Sequence, residues 1–153
     1  MILAKELRAA LTDILKNKAG FPHEVHFDNN IEASKSYFYV ELSENRKTVD
    51  PVYYERSIGV DIQLVLLPDE FNRIRRADLY DARDRLDQIV RPVVQIGDRF
   101  IAVSGTRGNV FNSILHYEFK LEFVDFLPTS EYDLAETLDL SLSTKRQNFN
   151  KEE

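Results

Sequence analysis

Over residues 57–67 the apolar side chains fall on every second position: Ile58, Val60, Ile62, Leu64 and Leu66, with Gly59, Asp61 and Gln63 between them. Successive strand side chains point to opposite sides, so this period of two predicts a strand with one face in a core. A second alternation sets Tyr117, Phe119, Leu121 and Phe123 against His116, Glu118, Lys120 and Glu122, predicting a long strand over 115–126 that closes the sheet. Phe38, Val40 and Leu42 oppose Tyr37, Tyr39 and Glu41 in a third strand at 37–42, and a short one is expected around 25–27.

The period changes elsewhere. Leu3, Leu7, Ala10, Leu11, Ile14 and Leu15 recur at helical spacing, with Gly20 and Pro22 placed to end the helix. Leu79, Ala82, Leu86, Ile89 and Val90 form a second apolar stripe, stopped by Pro92. Residues 93–103 read as a hairpin turning at Gly97-Asp98. The polar stretch 43–51 reads as the first long connection and 104–112 as a loop with two glycines, Gly105 and Gly108. Together these predict an α+β fold: a mostly antiparallel sheet of four to six strands, two helices packed on one face, and an extended C-terminal tail. Residues 1–127 form one domain. Residues 128–153, rich in Ser, Thr and acidic side chains but carrying Leu134, Leu138, Leu140 and Leu142, form a mobile end or an arm used in assembly.

Composition narrows the function. A chain of 153 residues buries roughly 70% of its unfolded surface, so it needs no staples. It has no cysteine, which removes disulfides and thiolate metal sites and fits a reducing compartment. The net charge of -6 argues against a general nucleic-acid binder. The N-terminal residues interleave charged and apolar side chains, unlike a signal peptide, and no apolar run approaches the roughly 18 residues of a membrane span. The chain is therefore expected to be soluble and made in the cytoplasm.

Catalytic patterns are weak. His23, His26, Asp28 and His116 are ligand-type residues from which a small metal-dependent enzyme could be drawn, but His23 and His26 fall on opposite sides of a strand and no second acidic motif supports them. Ser104, His116 and Asp98 lack a nucleophile-elbow sequence, and Gly105-Thr-Arg-Gly108 lacks the spacing and lysine of a phosphate-binding loop. Arg73, Arg75, Arg76, Arg83 and Arg85 form the strongest basic cluster, yet Asp69, Glu70, Asp78, Asp81, Asp84 and Asp87 neutralise it, favouring a salt-bridged face or a protein interface. Tyr37, Tyr39, Tyr53 and Tyr54 beside Arg56 are the residue mix of protein interfaces. A monomeric adaptor binding by strand addition along 37–42 is the other non-enzymatic possibility.

The succession Tyr53-Tyr54-Glu55-Arg56-Ser57-Ile58-Gly59-Val60-Asp61-Ile62, then Leu79-Tyr80-Asp81-Ala82, Gly97-Asp98-Arg99-Phe100 and His116-Tyr117-Glu118-Phe119, resembles the tail terminator (tail completion) proteins of long-tailed phages and prophages of Gram-positive bacteria. The resemblance spans about residues 1–127. It implies a non-enzymatic virion protein, without cofactor or metal, that assembles as a homo-oligomeric ring, commonly a hexamer, on the head-proximal end of the tail tube. There it would stop tube polymerisation and offer a surface to the head-completion or connector protein, with DNA only as passing cargo. On this reading subunit and tube contacts fall to Tyr53, Tyr54, Arg56, Arg73, Arg75, Arg76, Arg107, Phe111 and the C-terminal Leu134 and Leu138.

Overall fold

The computed structural model describes residues 1–29 and 34–127. Two α-helices, α1 (Ala4–Asp13) and α2 (Arg76–Val90), accompany seven strands: β1 (Glu24–His26), β2 (Tyr37–Thr48), β3 (Tyr53–Val65), β4 (Val93–Ile96), β5 (Arg99–Ala102), β6 (Thr106–Phe111) and β7 (Ile114–Phe126). Five of them form a mixed sheet in the order β1-β2-β3-β7-β6, and β4-β5 stand apart as a hairpin. Only β1 runs parallel to its neighbour, β2; the other pairings are antiparallel. The α+β expectation therefore holds.

The core follows from strand parity. Phe38, Leu64 and Leu115 lie side by side across β2, β3 and β7, as do Val40, Ile62 and Tyr117. All six are essentially inaccessible to solvent. They join one cluster with Leu7 and Leu11 of α1 and with Leu79, Ala82, Leu86 and Val90 of α2, which places both helices over this sheet face. At the start of α1 the Glu6 carboxylate accepts from the Leu3 amide at 2.7 Å, capping the first turn. The helix continues past Asp13 as a single π-helical turn, Ile14–Lys18, which keeps Ile14 and Leu15 buried. Gly20, at φ 67°, then turns the chain out. Asp87 of α2 accepts hydrogen bonds from Thr106 of β6 and, at 2.9 Å, from the Tyr117 hydroxyl of β7, pinning the helix to the sheet.

Three sequence expectations are corrected. Residues 43–48 belong to β2, which pairs with β3 as far as Thr48 opposite Tyr54, so the long connection is a hairpin. The Asp50 carboxylate shapes its turn by accepting from the amides of Val52 and Tyr53, each at 2.7 Å. Most of the expected loop 104–112 is strand β6, which lies outside β7, so β7 is internal and does not close the sheet. No described helix is long and apolar enough to cross a membrane.

Candidate functional site

Tyr54 and Arg56 share the parity of Ile58 and Val60, and both turn inward: Tyr54 is 4% exposed and Arg56 3%. This corrects the expectation that they stand on an exposed interface. The Arg56 guanidinium donates from Nη1 to Asp125 Oδ2 at 2.9 Å and to the Ile2 carbonyl at 2.6 Å, and from Nε to Glu44 Oε1 at 2.6 Å. Arg46 donates to the same Glu44 oxygen at 2.6 Å. Arg99 of β5 reaches Asp125 Oδ1 at 3.4 Å and the Val124 carbonyl at 2.8 Å. Both the Arg56 and Arg99 guanidiniums lie over the Phe123 ring, at 5.3 and 5.0 Å from its centroid. This knot ties the N-terminal segment, the β2–β3 hairpin, β5 and β7 together where the hydrocarbon core ends.

Burial opposes ionisation of Asp125, but hydrogen bonds from the Ile2 amide, Arg56 and the Phe126 amide outweigh it and hold the carboxyl below its ordinary range. A depressed folded-state pKa adds stability that is complete above the unfolded value near ~3.9 and vanishes as pH falls through the folded value. The urea midpoint should therefore drop steeply as pH falls below about 4. Asp125→Asn should lower the midpoint at pH 7 and flatten that drop; an unaltered pH profile would remove Asp125 from the acid-labile set.

Among the described residues the opposite sheet face carries no helix, and its middle is polar. Register sets Glu41, Asp61, Glu118 and Arg107 in one row across β2, β3, β7 and β6, and Ser43, Gly59 and Lys120 in the next. A depression of about 630 Å³ lies over these two rows. Asp61 Oδ2 meets His116 Nδ1 at 3.2 Å and accepts from Gln63 Nε2 at 2.9 Å. Gly59 keeps the second row low, since a Cβ there would sit 2.5 Å from Ser43 Oγ. This face carries charged and hydrogen-bonding side chains. The His116–Asp61 pair was not foreseen, because only cross-strand register brings those two residues together.

The residues of the metal alternative are dispersed. His26 is on β1 beside Tyr37 and Glu24, and His116 is on β7 with β2 and β3 between them. His23 packs against Phe21 and Phe38, and burial pulls its pKa down. Among the described residues no group of three or more His, Asp or Glu is arranged to hold a metal ion. The proposed strand-addition edge is partly taken, because β1 pairs with Tyr37, Phe38 and Tyr39.

The other sequence-nominated contact residues reach the surface, at separate places. Tyr53 is 49% exposed at the hairpin end, and Phe111 is 67% exposed at the opposite end. Arg107 stands on the open face. Arg73, Arg75 and Arg76 line the entry to α2, with Arg73 over the exposed Phe71 ring at 4.8 Å and Arg75 3.9 Å from Asp78. Leu134 and Leu138 lie outside the described residues.

Among the described residues the fold is a helix-backed sheet whose other face is charged in the middle and has exposed apolar side chains at both ends. The family model described as "Phage tail terminator protein" matches residues 6–133, most of the chain, and the protein belongs to that family. It is thus a structural protein of the phage tail, in a family that is not enzymatic, and its place is the virion tail. No curated protein matches the chain in sequence. Among the solved structures that it matches, one that is 17% identical aligns over 86% of this chain and 100% of its own with a TM-score of 0.45.

Proposed function

We propose that the protein closes the head-proximal end of a phage tail tube as a ring of identical subunits, six in the arrangement the resemblance implies. It is assembled in the bacterial host cytoplasm. The family match over residues 6–133 carries this reading. The physical logic is that of stacked rings: a tube grows while each ring presents to the next the surface it was built on, and stops when a ring offers a different one. One side of the terminator ring complements the tail tube protein, and the other receives the head-completion or connector protein.

The separate exposed groups suit such work. A head-to-tail ring contact needs two different patches on each subunit, and further patches serve the tube and head. Tyr53, Phe111, Arg107 and the Arg73, Arg75 and Arg76 group are the exposed candidates for those contacts. With a net charge of -6, the subunit also suits a ring through which DNA passes without adhering.

Removing the gene tests the reading. Electron microscopy of the resulting lysates should show tubes longer than normal and without heads, and supplying the protein in trans should restore uniform length. Tubes of normal length joined to heads in its absence would overturn the terminator role.

A further inference from the structure

At the β2–β3 hairpin end the open sheet face changes from polar to apolar. Tyr53 and Phe126 are directly paired across β3 and β7, and Val124 follows on the same face of β7. Their exposures are 49%, 48% and 52%. Val49, Val52 and Leu127 extend the patch, each more than two-fifths exposed. Isolated exposed apolar residues are ordinary, but a contiguous group of six at one end of a sheet marks a contact surface.

The chain leaves the described domain at this patch. The Leu127 amide donates to the Val52 carbonyl at 2.8 Å, which ties the last described residue to the hairpin end. In the sequence beyond, Leu138, Leu140 and Leu142 alternate with Asp139, Ser141 and Ser143, a period of two that gives an extended segment one leucine face. The intervening residues 128–137 can span up to about 35 Å, roughly the diameter of one such domain, so this length of chain is enough to reach a second copy.

We propose that the leucine face of residues 138–142 docks on the Tyr53, Val124 and Phe126 patch of a second copy. Arm and socket are different surfaces of one subunit, as a head-to-tail ring contact requires, so each subunit gives one arm and receives another. The inference rests on the ring reading above and specifies its subunit contact.

The absence of native cysteine makes disulfide trapping clean. Full-length Tyr53→Cys and Leu140→Cys proteins are mixed and oxidised, free in solution and after assembly onto tails, and the products are read by mass spectrometry. The mixed disulfide should form at least about tenfold faster than one between Leu140→Cys and an Asp98→Cys control, since a docked pair reacts at a raised effective concentration. Exchanging Leu138, Leu140 and Leu142 for serine, with Cys moved to position 139, should abolish that advantage. Equal rates with both partners, free and on tails, overturn the proposal. So does the double variant Tyr53→Cys/Leu140→Cys closing within one chain in preference to between chains, which makes the arm its own subunit's cover. Overlong tubes on gene removal, together with either of those results, would leave the terminator role standing and remove only this contact.

Discussion

Replacing Arg56 with alanine will destabilise the folded chain by about 3–5 kcal/mol, because it takes from the buried Asp125 carboxylate its nearest cation, 2.9 Å away. That carboxylate has no exposed side-chain surface, and Arg56 has 3%. The Ile2 carbonyl loses a donor as well. Urea denaturation followed by circular dichroism measures the loss, and a change below about 0.5 kcal/mol, the size of an ordinary surface substitution, would contradict the buried knot. The double variant Arg56→Met/Asp125→Leu should recover much of the deficit, since removing both charges ends the desolvation cost of each. Charge reversal at Arg56, harmless to folding if the side chain stood on an interface, is here expected to be the most damaging change, setting a new carboxylate against Asp125 and Glu44.

The second large effect separates two adjacent residues of β3. Ile62 is fully buried between Val40 and Tyr117. Its truncation to alanine removes three carbons from a closed core and should cost about 2–5 kcal/mol, depending on how far the cavity collapses. Gln63, one step along, points to the open face beside His116 and Tyr39. Gln63→Ala should stay within about 0.5 kcal/mol of the parent by the same urea assay. Comparable losses at both positions would mean that the open face is covered in the free protein.

That contrast also explains what the sequence made legible. Where hydrocarbon fills the covered face, as along 58–66 and 115–123, the alternation of apolar and polar residues displays the strands directly. Toward the hairpin end the same face is filled by Glu44, Arg46, Arg56 and Asp125, which satisfy one another. Charge replaces hydrocarbon there, the apolar period disappears, and the strand at 43–48 looked like a loop. The parity of Ile58, extended back by two and four residues, places Arg56 and Tyr54 inside, although their side-chain chemistry is that of an interface.

Strand β6 was hidden for a related reason. Its covered positions are Thr106, Gly108 and Val110, opposite Phe119, Tyr117 and Leu115. Thr106 binds Asp87, and Gly108 leaves room for Arg83, whose Cγ and Cδ would lie 2.6 Å from any Cβ there. The row is packed by a hydrogen bond and an arginine stem, neither of which carries a hydrophobic pattern. Of the open face, the acidic and basic residues were visible, but their grouping across four strands depends on register, which a single sequence does not encode locally.

The pairing of β3 with β7 has a temporal consequence. Tyr53, the first residue of β3, pairs with Phe126, and the whole of that edge of β3 is matched along β7 as far as Val65 opposite Ile114. While the ribosome is still making α2, the β4–β5 hairpin and β6, the edge of β3 that faces β7 has no partner in the chain made so far. The sheet can close only after residue 126 has cleared the exit tunnel, so β2 and β3 must wait through some sixty further residues, exposed to premature association, before the strand that covers them arrives.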